Sequence, residues 1–145
     1  MGIGTAAEAI KIAENWLLTA ETMAGKKIYN TALYSEEMAV EIALKALLLS
    51  FHIEPPKMHN IIEIVDSNLI NSEKLSKEKR EKIKEITRYL LPELLVNRQV
   101  SGYTFNYNID KKDLETLALK YLDLTRNAVK LCNDIIKENL EHDDE

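Results

Sequence analysis

The chain has little of what punctuates or cross-links a small fold. Its single cysteine, Cys132, excludes an internal disulfide and any cysteine-based zinc cluster. Four glycines and three prolines in 145 residues are too few for the many turns of a β-sandwich or barrel. No apolar run is long enough to span a bilayer and no N-terminal signal segment is recognisable, so the expectation is a cytoplasmic protein without a membrane partner. Positive charge is in deficit as well. Nineteen Lys and Arg face 24 Asp and Glu, a net charge of -5, which argues against bulk binding to a polyanion while leaving room for a local basic site. There is no Gly-rich phosphate loop, Ser35 has no His/Asp arrangement around it, and no group of His, Cys or carboxylates has ligand spacing. P-loop chemistry, serine-hydrolase chemistry, a metal and a cofactor are therefore not expected.

What is present is apolar and charged residues in helical rhythm, 46% and 30% of the chain. Thr5-Ala6-Ala7-Glu8 has the form of a capping box, and Ala6, Ile10, Ala13, Leu17 and Ala20 recur behind it at three- and four-residue spacing. This stripe predicts a first helix ending near Gly25. A second, from about Ile28 to Phe51, carries Leu33, Val40, Ala43, Leu44, Leu47 and Leu48, a face broad enough for two neighbours and so for the centre of the fold. Glu54-Pro55-Pro56 is expected to stop it. A shorter third helix is read from His59 to about Ile70. A fourth, capped by Ser76, begins charged, turns apolar at Ile83, Ile86 and Leu90, and is kinked or ended by Pro92. Residues 97–109 form an irregular connection with three aromatics. Asp110 then caps a last helix striped by Leu114, Leu117, Tyr121, Leu124, Ala128, Leu131 and Ile135, and the acidic tail from Glu138 is expected to fray. With short joints and no repeat or linker, residues 1–145 read as one domain, an all-α, up-and-down antiparallel bundle of four to five helices.

Three pieces of this sequence, in order, resemble the HEPN domain family. The first is Ala39-Val40-Glu41-Ile42-Ala43-Leu44-Lys45-Ala46-Leu47-Leu48, similar to the long central helix of that family. The second is His59-Asn60-Ile61 after a proline-containing loop, and the third is the Arg-containing segment Arg98-Gln99-Val100-Ser101-Gly102-Tyr103 before the last helix. The resemblance implies a helical bundle, commonly a homodimer, often partnered by a minimal nucleotidyltransferase in toxin–antitoxin pairs, with a nucleotide or RNA as ligand. It also implies that active members are metal-independent endoribonucleases using an R-x(4–6)-H motif. This chain departs from the motif. Four residues after Arg98 the next position is Tyr103, and none of His52, His59 and His142 follows an Arg at the required spacing. A tyrosine, with an unperturbed pKa near about 10, is a poor general base at neutral pH.

The candidate ligand-binding residues are Arg98, Tyr103, Glu41, Lys45 and His59, and Arg98, Tyr103 and His59 are also the candidates for catalysis. Arg98 suits bidentate phosphate binding; its structural alternative is an exposed loop arginine or one packed on Tyr103. Tyr103, Phe105 and Tyr107, spaced by two, would stack on a base or, as the residues favour, anchor the loop. Glu41 and Lys45 are an i,i+4 ion pair by default. His59 reads first as a residue orienting the start of helix three by bonding to helix two. The basic stretch from Lys74 to Arg88 is read as a solvated face with helix pairs rather than an RNA surface. The preferred reading is a HEPN-like binding or regulatory module. The alternatives are a divergent metal-independent endoribonuclease using Arg98 with Tyr103 or His59, and a structural oligomerisation bundle without ligand.

Overall fold

The computed structural model describes residues 3–98, 101 and 110–143. These form α1 (Ile3–Gly25), α2 (Tyr29–Ser50), α3 (Ile62–Leu69), α4 (Lys77–Glu85), a π-helical turn (Ile86–Leu90), α5 (Leu91–Val96) and α6 (Lys111–Asp143). Among the described residues there is no strand, and the fold is the expected all-α bundle. The helix α2 lies at its centre, against α1 on one side and α6 on another, while α1 also meets α6 and α5 closes on α2. The broad apolar face explains that position: Leu33, Val40, Ala43, Leu44, Leu47 and Leu48 are all fully buried. The rest of the core comes from Ala6, Ala13 and Ala20 of α1, Leu91 and Leu94 of α5, and Tyr121, Cys132, Ile135 and Ile136 of α6. The small α1 residues let its backbone approach α2 closely, and Trp16 meets Tyr34 edge-on with ring centroids 6.3 Å apart.

The helix ends differ from the sequence reading in instructive ways. The helix α1 is already formed at Ile3, so Thr5 sits within its first turn instead of preceding it. At the other end α1 stops at Gly25 as expected, but the left-handed residue that closes it is Lys27, with φ 63°. Ile28 N–H donates to Met23 O at 2.8 Å and Lys27 N–H to Ala24 O at 3.0 Å, the paired bonds of a Schellman motif on a non-glycine residue. The same device stops α2 before its prolines: His52 has φ 62°, and Ile53 N–H returns to Leu48 O at 3.0 Å. Pro55 and Pro56 keep the chain from re-entering a helix but do not themselves end it. The helix α3 starts at Ile62, three residues later than expected, because Asn60 Oδ1 accepts the Ile62 N–H at 3.2 Å and makes a turn there. Ser76 caps α4 as read, its Oγ accepting from Lys79 N–H at 3.2 Å.

Pro92 neither ends nor breaks the fourth rod. A proline inside a helix clashes with the carbonyl four residues before it, and the π-helical turn of Ile86–Leu90 widens the backbone in that region. The helix resumes as α5 with Pro92 in its first turn, where a missing N–H costs nothing. Thr87 in the widened turn donates to Asp66 Oδ1 of α3 at 2.8 Å. Beyond Glu138 the last helix continues to Asp143, with Lys79 Nζ on Glu138 at 2.5 Å and Asn139 Nδ2 donating to Ser50 Oγ at 2.9 Å. Its buried face is also wider than the expected stripe. Ala118, Thr125, Val129 and Cys132 are buried with it, whereas Leu124 is exposed, since a helix of this length meets both α1 and α2. None of the helices among the described residues is long and apolar enough to cross a membrane.

Candidate functional site

Along α2 runs one polar line within an otherwise apolar helix. Tyr34, Met38, Glu41 and Lys45 follow one another at three- and four-residue intervals, and Glu37 stands three after Tyr34 and four before Glu41, so they share a face. Two residues far along the chain close on it. Arg98, two residues beyond α5, forms an ion pair with Glu37 Oε2, donates to Tyr34 Oη at 3.0 Å, and approaches Met38 Sδ at 3.5 Å. Its guanidinium carbon lies 4.7 Å from the centre of the Tyr34 ring, a stacked cation–π contact. The other newcomer is His59, whose Nδ1 is 2.9 Å from Glu41 Oε1; the second oxygen of Glu41 accepts from Lys45 Nζ at 3.0 Å. The chain of contacts thus runs Tyr34–Arg98–Glu37, then across one helical turn to Glu41, and on to both His59 and Lys45.

Burial sorts the members of this cluster. Glu37 and Glu41 are almost fully buried, Arg98 and Lys45 keep 19% and 18% of their side chains exposed, and His59 keeps 55%. The acids therefore form the floor and the nitrogen-bearing groups the rim. Burial pushes the Glu37 carboxyl up to about 8, with the neighbouring Glu41 carboxyl adding to the rise and Arg98 opposing it. Next to it in sequence, Glu36 points elsewhere, toward α6. It is wholly buried, neither of its oxygens has a hydrogen-bond partner among the described residues, and burial raises its carboxyl to about 9 against a lowering by Arg126.

Four of the five residues singled out from the sequence are therefore together: Arg98, Glu41, Lys45 and His59. Arg98 is not a free loop arginine, because its guanidinium turns inward onto the Tyr34 ring and the Glu37 carboxylate of α2. Tyr103, Phe105 and Tyr107 lie outside the described residues. His59 bonds to α2 as expected, but Asn60 rather than His59 makes the turn into α3. Lys45 and Glu41 form the expected pair. The basic stretch bears out its bland reading, with Lys82 paired to Glu78 at 3.3 Å and Lys84 to Glu81 at 3.2 Å. The sequence reading did not single out Tyr34 and Glu37. The available signal was a glutamate one turn before Glu41 on the face of a helix otherwise destined for the core. It also named no metal ligands, because Glu37, Glu41 and His59, whose ligating atoms lie within 4.8 Å of one another, are joined by the fold and not by spacing.

A central helix carrying buried acids, clamped by an arginine from the segment before the last helix, defines an all-α bundle with a charged cluster on its central helix. The HEPN domain family model matches residues 6–135, nearly the whole chain, and the chain belongs to that family. At the level of the family it is a nucleotide- or RNA-related module. No curated protein and no solved structure matches it.

Proposed function

We propose that this chain is a binding or regulatory module that holds a nucleotide or RNA through phosphate, with Arg98 as the anchor. The observation that carries the reading is the fixing of Arg98 between Tyr34 and Glu37 while part of its side chain still reaches solvent. Stacking and two hydrogen bonds remove the rotamer freedom that a phosphate contact otherwise costs, and a guanidinium with five N–H donors still has some to offer. Lys45 and His59 stand on the same rim and add donors. The test is anisotropy of a labelled oligoribonucleotide, and of a labelled mononucleotide, in chelator-treated buffer. Arg98→Lys keeps the charge and loses the fork, so affinity falls about tenfold and the change is similar across sequences. Unchanged affinity in Arg98→Lys and Arg98→Ala would show that the anchor is wrongly assigned.

One contact favours a second reading, a metal-independent endoribonuclease. Glu41 engages Nδ1 of His59, which orients the ring and leaves Nε2 as the atom for proton transfer, while Arg98 would stabilise the charge on phosphate. His59 would then do the work of the histidine missing after Arg98. Labelled RNA left intact by a large excess of metal-free protein rules this out and leaves the binding role.

In either reading the chain works with a second copy of itself or with a minimal nucleotidyltransferase, in a pair of the toxin–antitoxin kind. Exposed Tyr89 and Leu124 border a groove of about 510 Å³ between the π-helical turn and α6, and Val96 is exposed nearby in sequence. Apolar side chains left in water at such a place support an interface. Sedimentation of the isolated chain checks the first partner, and co-purification with a co-expressed nucleotidyltransferase the second.

A further inference from the structure

Glu37 and Glu41 rise from α2 one turn apart, and the loop after α2 lays His59 over them. One ligating atom from each of the three lies within 4.8 Å of the other two. The closest pair, His59 Nδ1 and Glu41 Oε1, is 2.9 Å apart. Two ligands bound to one tetrahedral metal at about 2.0–2.1 Å stand about 3.3 Å from each other, so this pair needs to open by only a few tenths of an ångström to span a coordination edge. Glu37 supplies what an acidic cluster by itself lacks. Its side chain is wholly buried, Arg98 takes one oxygen, and the other, Oε1, has no hydrogen-bond donor among the described residues. A buried oxygen in that condition is costly, and a cation beside it would remove the cost. Half-exposed His59 provides the access path and room for a water to complete the shell.

We propose that Glu37, Glu41 and His59 form a site for a divalent cation of the zinc class. The donor set decides the class: one imidazole nitrogen and two carboxylate oxygens suit zinc, whereas magnesium takes oxygen ligands and gives up its water reluctantly. Lys45 and Arg98 flank the site and work against a second positive charge, Lys45 directly, since it sits on the other oxygen of Glu41. The site is therefore one of moderate affinity, and removing Lys45 strengthens it. This inference rests on the geometry of the three donors and not on the phosphate-binding reading, which is measured separately in chelator.

The test is calorimetric titration of the full chain with zinc chloride alone, and with magnesium chloride, in the absence of any nucleotide. The expected result is a single saturable zinc site with no comparable magnesium uptake. His59→Ala and Glu41→Gln weaken it by at least about tenfold, and Lys45→Ala tightens it. The half-exposed His59 is the safer substitution, and circular dichroism confirms that each variant is folded; if Glu41→Gln is not, His59→Ala decides. Absence of saturable zinc binding overturns the proposal. So does binding that survives His59→Ala, or that is lost in His142→Ala instead, which would place the metal on the surface of α6.

Discussion

His59 and Glu41 meet with 2.9 Å between Nδ1 and Oε1, although eighteen positions and the end of a helix separate them. The contact ties the loop after α2 back onto α2. It also brings an imidazole to the floor of acids that holds Arg98, so imidazole, carboxylate and guanidinium groups from three parts of the chain share one patch.

Arg98 and Glu37 should behave as a coupled pair. Removing the guanidinium leaves a buried carboxylate without its cation, so Arg98→Met is expected to cost about 1–3 kcal/mol. The double variant Arg98→Met/Glu37→Met should lose less than the sum of the two single changes. A double-mutant cycle in urea checks this; strict additivity would mean that the ion pair contributes no coupling.

Glu36 is a different case, with both oxygens buried and unpartnered among the described residues. Replacing it by an apolar side chain of similar length removes a desolvation cost and little else, so Glu36→Met should stabilise the fold by about 1–3 kcal/mol. A higher urea midpoint with an unchanged slope is the expected observation. A lower midpoint would mean that the carboxyl has a partner in solution.

Tyr121 sets an alkaline limit. Burial, then the charge of Glu93 and the hydrogen bond to it, raise the phenol to about 12. In the unfolded chain it ionises near about 10, so its contribution is fully present below that pH. As pH rises from there through 12 the unfolded state loses its proton first and stability falls. Tyr121→Phe should cost about 0.5–1.5 kcal/mol at neutral pH, through the 3.2 Å bond to Glu93, yet lose stability less steeply in that window. Thermal midpoints of both proteins across the range are the check, and parallel curves would contradict it.

Cys132 is fully buried, and burial pushes its thiol up to about 12. The thiolate is the reactive species, so the folded protein should resist alkylation at pH 8 and react only as fast as it opens. Mass spectrometry over time with and without urea distinguishes this from a reactive surface thiol.

Lys27 occupies a left-handed conformation with φ 63° at the end of α1. Lysine there carries the Cβ strain that glycine avoids, so Lys27→Gly should gain about 0.5–1 kcal/mol despite the greater freedom of glycine in the unfolded chain. A thermal midpoint that falls would show that the lysine side chain does more than terminate the helix.

Much of the architecture was legible because helices announce themselves locally. The stripe of α2, the caps of Ser76 and Asp110, and the absence of turn residues all concern neighbours within a few positions. Even the errors were local: the closing turns fell on Lys27 and His52, non-glycine residues that nothing marks as left-handed, and Pro92 was absorbed by a widened turn. The site was legible only as residue types. Arg98, Glu41, Lys45 and His59 stood out, whereas Glu37 and Tyr34 looked like ordinary members of an amphipathic helix.

The sequence by itself determined that this protein is a bundle of amphipathic helices with α2 at its centre, since periodicity and capping act over single turns and need no knowledge of neighbours. The packing of those helices alone decided that Arg98 turns inward to Glu37 and Tyr34, that His59 lands on Glu41, and that Glu36 has no hydrogen-bond partner among the described residues. A charged side chain takes whichever group the docked backbones place within about 3 Å, and that distance is set by rigid elements far apart in the chain.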